Sequence, residues 1–119
     1  MNHIELGREG ERIAANQLIT KGYTIISRNY RLKNAEIDIV CTKDDKLIIV
    51  EVKTRNSTIF GEPYLSVTRS KQRQIIRVAN NFIEEKDIDM EVRFDVISII
   101  LNNNTMRLEH IEDAFYPLV

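Results

Sequence analysis

Glu36-Ile37-Asp38-Ile39-Val40-Cys41-Thr42-Lys43-Asp44-Asp45-Lys46-Leu47-Ile48-Ile49-Val50-Glu51-Val52-Lys53 is the stretch that decides the fold. Two runs rich in β-branched residues, 36–41 and 47–53, flank the polar cluster Lys43 to Lys46, which predicts a β-hairpin. Pairing Thr42 with Leu47 across that loop sets Asp38 opposite Glu51 and Glu36 opposite Lys53. Side chains alternate along a strand, so Glu36, Asp38, Glu51 and Lys53 share one face, and Ile37, Ile39, Ile48, Val50 and Val52 share the other. One face reads as core and the other as a charge cluster. Carboxylates directly opposite each other lie about 5 Å apart at Cβ and repel. A divalent metal would remove that penalty, and hard oxygen donors suit Mg²⁺ or Mn²⁺, with Lys53 placed to hold a water or a phosphate oxygen. The alternative is a solvated hairpin face that Lys53 alone neutralises.

Upstream, Asn2 and Glu5 resemble a capping box. Apolar residues recur at helical spacing from Ile4 to Ile19, and Gly22 supplies the stop. Ile4, Gly7, Ala14, Ala15 and Leu18 form one stripe with Glu11 near its centre. A carboxylate there is costly unless it is paired or metal-linked, so Glu11 either serves a site or pairs with an Arg or Lys at the core edge. Gly7 and Gly10 each cost about 1 kcal/mol relative to Ala inside a helix, which points to a close approach by sheet or substrate. Tyr23 to Ser27 reads as a strand, and Arg28 to Asn34 as a turn.

Downstream, Thr54 to Ser66 reads as a loop, and a helix from about Thr68 to Glu85 carries Ile75, Ile76, Val78, Ala79, Phe82 and Ile83 on one stripe. Val92 to Leu101 and Met106 to His110 read as strands, and Glu112 to Tyr116 as a last helical turn stopped by Pro117. The order is αβββαββα, an α/β protein. Arg69, Arg73 and Arg77 make an i, i+4, i+8 row on the second helix, with Lys71 leaning toward the core. His3 and His110 match no metal or triad spacing and read as exposed or capping residues. Arg93 and Asp95 share a strand face and read as a structural pair, and Cys41 as a small core filler.

The chain has 119 residues, the size of one domain spanning 1–119, with seventeen Lys and Arg against eighteen Asp and Glu. A net charge of -1 advertises no charged partner, but its distribution does. Lys53 to Arg77 holds six basic residues against Glu62 alone, and Lys21 to Lys33 holds four basic residues and no acid. Such stripes fit phosphate-backbone contact as well as a solvated face. Cys41 is the only cysteine, which excludes an internal disulfide framework and indicates a reducing, cytoplasmic setting. No apolar run approaches the roughly 18 residues of a membrane span.

The ordered blocks Gly7-x-x-Gly10-Glu11, Asn29-x-Arg31, Glu36-Ile37-Asp38, Glu51-Val52-Lys53-x-Arg55, Phe60-Gly61, Lys71, Arg93-Phe94-Asp95 and Glu109-His110-Ile111 to Phe115 resemble the YraN family. These are small bacterial proteins with a PD-(D/E)XK nuclease-like fold, similar to archaeal Holliday-junction resolvases. The resemblance implies a restriction-endonuclease-like αβββαβ core with a central mixed sheet flanked by helices. It also implies an Mg²⁺- or Mn²⁺-dependent endonuclease acting on DNA phosphodiesters, branched DNA included. By position, the catalytic set would be Glu11, Asp38, Glu51 and Lys53. Asp38, Glu51 and the Val52 backbone carbonyl would hold the metal, and Glu11 would be an outer ligand or hold a second ion. Arg31, Arg55, Arg69, Lys71, Arg73 and Arg77 would follow the nucleic acid. Ile37 stands where the superfamily motif has Pro, and Ala35 where the family usually has Gly. A non-cleaving nucleic-acid-binding module and a protein-interaction domain are the alternatives, and pairing of two chains as a homodimer stays open.

Overall fold

The computed structural model describes residues 1–117. Helix α1 (His3–Thr20) opens on Asn2, whose Oδ1 accepts the Glu5 N–H at 2.9 Å, and the chain leaves it through Gly22 at φ +90°. Strands β1 (Thr24–Leu32), β2 (Ala35–Lys43) and β3 (Lys46–Arg55) follow, then a short 3-10 turn (Pro63–Ser66), helix α2 (Arg69–Glu85), and strands β4 (Glu91–Leu101) and β5 (Met106–Phe115). The strands form one sheet in the order β1-β2-β3-β4-β5. Only β3 and β4, joined through α2, run parallel, which gives the mixed sheet expected of an αβββαβ core.

Each helix covers one face. Ile75, Val78, Ala79 and Phe82 of α2 pack on Leu47, Ile49, Phe94 and Val96, while Ala14, Ala15 and Leu18 of α1 pack on Ile48, Val50, Val52, Ile97 and Ile99. The hairpin register is the expected one, Thr42 facing Leu47 and the ladder running to Ile39 opposite Val50. The expected division into core face and charge face holds only at one end, because Leu47 and Ile49 share the face of Glu51 and are buried. A central strand covered on both sides reads as an unbroken apolar run, as 47–50 does.

Four local expectations change. β1 continues through Arg28 to Leu32, because pairing with β2 organises the basic segment as strand and leaves only Lys33 and Asn34 to turn. The terminal helical turn is instead the end of β5, where Phe115 pairs with Phe94 and stacks on its ring at a centroid distance of 5.2 Å. Cross-strand pairing there overrides local propensity. Ile4 is 65% exposed, and burial on α1 begins at Gly10. Ile37 belongs to the α2-side core while Ile39 belongs to the α1-side core, so β2 changes face between them.

The glycines separate. A Cβ on Gly10 would meet Thr54 Oγ1 at 1.8 Å, so α1 can seat on β3 only without a side chain there. Gly7 has nothing within 4 Å of that position, so the fold itself makes no use of the space.

Candidate metal and phosphate site

The site forms where β2 and β3 part. The β2–β3 ladder ends at Ile39 and Val50; one residue further, the Asp38 carboxylate accepts the Val52 N–H at 2.8 Å. Asp38 thus takes the place of a backbone acceptor and is fixed beside Glu51 on the neighbouring strand. Glu36 does not face Lys53 as expected. With β3 gone, it pairs toward β1, accepting from Arg31 Nη2 at 2.8 Å and Asn29 Nδ2 at 3.2 Å. Asn29 sits at φ +54°, a conformation asparagine tolerates better than most residues, in the same strand region opposite the β2 face change. Its amide also donates to Glu11 Oε1 at 2.9 Å. The half-buried Glu11 therefore has a neutral amide as partner and, among the described residues, no Arg or Lys.

Asp38 and Glu51 are adjacent, and their carboxyl groups can share a hydrogen bond when one of them carries a proton. Burial, then the charge of Glu51, push Asp38 up to about 8. Burial likewise raises Glu51, against the lowering effect of the Asp38 hydrogen bond and of Lys71 and Lys53. Burial raises Glu11 too, with Asp38 and Glu36 adding to it. Two adjacent desolvated carboxyls hold a proton or take a cation.

Glu51 is 4% exposed, and its Oε1 has no hydrogen-bond partner among the described residues; Oε2 is 3.7 Å from Lys71 Nζ. A buried carboxylate oxygen without a partner, beside a second carboxylate, fits a hard divalent cation. No group of three or more His, Cys, Asp or Glu side chains among the described residues is arranged to hold a metal. Two carboxylates supplemented by backbone oxygen and water is the donor set Mg²⁺ accepts, because that ion keeps several of its waters.

The basic residues divide. Lys71 approaches Glu51 and belongs to the carboxylate site. Arg31 is exposed and tied to Glu36. Arg55, exposed at the end of β3, lines a cavity of about 230 Å³. Arg69, Arg73 and Arg77 are exposed along α2, and the first two line a different cavity, about 540 Å³, against the end of β5. That row does not converge on Asp38. Three arginines that the sequence did not single out do reach it: Arg8, Arg12 and Arg28 line a cavity of about 300 Å³ with Glu11, Asn29 and Asp38. Arg12 pairs with Glu9. The available signal was spacing, since Arg8 lies three residues before Glu11 on the same helix face and Arg28 pairs with Ile39, next to Asp38.

A second buried network lies on β4 and β5. Asp95 is fully buried, receives Arg93 Nε and Nη2 at 2.9 and 2.8 Å, contacts His110 Nε2 at 2.7 Å and accepts the Asp113 N–H at 3.0 Å. Arg93 also donates to Tyr23 at 2.8 Å. Burial alone would raise Asp95, but the hydrogen bonds from His110, Arg93 and Asp113 lower it. The Arg93–Asp95 pair is structural as expected, whereas the His110 side chain is buried rather than exposed. Cys41 is buried in the α1-side core, its thiol pushed up to about 12 by burial first, then by the charge of Asp95.

Fold and site together define a class: a small α/β protein whose mixed five-stranded sheet carries a carboxylate pair, Glu51 buried and Asp38 half-buried, flanked by lysine at the fork of its central hairpin. The chain belongs to the Uncharacterised protein family UPF0102, whose profile matches residues 10–99. It is 43% identical over 114 residues to a UPF0102 protein of Christiangramia forsetii, covering 96% of each chain. It is 44% identical over 115 residues to one of Bacteroides thetaiotaomicron, covering 97% of this chain and 95% of that one. A UPF0102 protein of Thermodesulfovibrio yellowstonii is 44% identical over 116 residues, with 98% and 100% covered. Among the described residues, no helix is long and apolar enough to cross a membrane.

Proposed function

We propose that this protein is a divalent-metal-dependent nuclease acting on DNA phosphodiesters, branched DNA among them. The observation that carries the proposal is the pairing of half-buried Asp38 with buried Glu51, whose Oε1 has no partner among the described residues, set beside Lys53 and an arginine-lined cavity. Asp38, Glu51 and the Val52 carbonyl would hold Mg²⁺ or Mn²⁺. When bound, such an ion supplies Lewis acidity toward a phosphate oxygen and the attacking water. Lys53 would orient that water or help remove its proton. Glu11 and Asn29 hold the outer hydrogen-bond shell, or Glu11 helps hold a second ion. Arg8 and Arg28 grip non-bridging phosphate oxygens, and Lys71 restrains Glu51. The arginines of α2 and Arg55 follow the backbone beyond the scissile position.

The test is incubation of purified protein with linear, flap and four-way DNA in Mg²⁺ or Mn²⁺, alongside Glu51→Ala and Lys53→Ala. Cleavage that requires the metal and both side chains is the expected result. DNA binding without cleavage would make the protein a binding module. Absence of both DNA binding at low salt and metal uptake would leave a protein-interaction domain.

A further inference from the structure

Thr58 to Gly61 forms a tight turn that the nuclease chemistry does not use. The Gly61 N–H donates to the Thr58 carbonyl at 2.8 Å, and Gly61 sits at φ +98° with Leu65 close against it. The two corner positions carry Ile59 and Phe60, 81% and 100% exposed. An exposed phenylalanine forgoes the burial that its ring would gain in a core. The turn is anchored on both sides: Asn102 Nδ2 donates to the Asn56 carbonyl at 2.9 Å, and Arg107 Nη2 donates to both carboxylate oxygens of Glu62 at 2.6 and 2.9 Å. That second pair neutralises the one acid beside the turn.

Its position gives the ring a candidate occupant. Glu51, Lys53 and Arg55 alternate along one face of β3, about 6.6 Å apart, and lead from the carboxylate site to the turn. Arg55 and Phe60 line the same cavity of about 230 Å³. A guanidinium for phosphate beside an aromatic face suits one unpaired nucleotide, because stacking on an aromatic ring needs a base released from its own stack. A continuous duplex offers no such base; a branch point, flap or single strand does.

We infer that Phe60, with Arg55 beside it, stacks on an unpaired base beyond the scissile phosphate and gives the protein a preference for branched or single-stranded DNA over continuous duplex. This rests on the nuclease reading for the position of the substrate, but its own readout is binding. The experiment measures fluorescence anisotropy of four-way, flap, single-stranded and duplex DNA on wild type, Phe60→Ala and Phe60→Trp in Ca²⁺, with 2-aminopurine beside the branch. Phe60→Ala should weaken branched and single-stranded binding about tenfold, leave duplex binding unchanged and abolish the 2-aminopurine response, while Phe60→Trp keeps all three. Phe60 is fully exposed, so circular dichroism and melting should be unchanged. Equal loss on every DNA, no loss on any, or no DNA binding by wild type overturns the inference. So does a wild-type dimer in sedimentation that Phe60→Ala dissociates, which would make the turn a contact between copies of this chain. Phe60-dependent branch binding without metal-dependent cleavage would sustain the stacking and refute the nuclease; cleavage with no Phe60 effect would do the reverse.

Discussion

Replacing Asp38 with Asn tests whether the fork holds uncompensated negative charge. The Asn oxygen can still accept the Val52 N–H that bonds Asp38 Oδ2 at 2.8 Å, while one of two adjacent carboxyls disappears. Burial, and then Glu51, push Asp38 from 3.8 up to about 8. A carboxyl raised in the folded state contributes stability that is complete below its unfolded value and is lost as pH rises toward the folded one. That window runs from pH 3.8 to about 8. At 1.36 kcal/mol per unit the wild type would lose at most roughly 6 kcal/mol across it. Residual hydration of Asp38 and the cations Lys53 and Lys71 beside Glu51 bring the recoverable part to about 2 kcal/mol. Thermal melts in chelator should therefore show Asp38→Asn about 8 °C above wild type at pH 8 and equal to it near pH 4, taking about 4 °C per kcal/mol for this size. Millimolar Mg²⁺ or Mn²⁺ should raise the wild type at pH 8 and leave the variant where it is. A variant less stable than wild type at pH 8, or a difference that does not change with pH, would refute the charge argument.

Gly10→Ala places a Cβ 1.8 Å from Thr54 Oγ1 and should cost about 1–3 kcal/mol in denaturant unfolding, whereas Gly7→Ala, with nothing within 4 Å, should be neutral or stabilising by about 0.5–1 kcal/mol. Asp95→Ala leaves the Arg93 guanidinium without its bidentate acceptor and should destabilise by about 3–5 kcal/mol in the same assay, while Cys41→Ala, which loses only a small buried thiol, costs less. Removing Arg8 and Arg28 together should lower the slope of log affinity against log salt by about 2 and weaken all DNA forms alike, as fluorescence titration at several salt concentrations would show.

The elements that periodicity defines, α1, α2 and the central hairpin, were legible because their apolar residues repeat with one period and their ends carry caps: Asn2, Gly22 and Thr68. What escaped depends on pairing partners. Arg28 to Leu32 and Glu112 to Phe115 have turn-like or helical composition, and only an adjacent strand makes them β. His110 looks polar and solitary until β5 lies on β4 and brings it to Asp95. Asp38 and Glu51 were legible through the register, and Glu11 through its place on an apolar stripe. Arg8 and Arg28 were not, since an exposed arginine on a helix or an edge strand carries no mark of what lies across from it.

The fork explains why this site needs two helices. Glu51 lies on the α2 face of β3 and meets Lys71, whereas Glu11 comes from α1 on the other face. In an unbroken sheet the backbone layer would keep such groups apart, since neighbouring side chains project to opposite sides. Asp38 interacts with both Glu51 and Glu11. It stands where β2 leaves β3 and changes face between Ile37 and Ile39, so a single side chain is reachable from both layers. Asn29, in its left-handed conformation on the adjoining strand, holds Glu11 and Glu36 at the same opening. Closing the ladder by extending β2–β3 pairing past Ile39 would satisfy Val52 with a carbonyl, release Asp38 and separate the two layers' groups. Interrupting the hairpin there gives up backbone hydrogen bonds, and what the interruption supplies is a side chain, Asp38, within electrostatic reach of a carboxyl group on each face, Glu51 and Glu11.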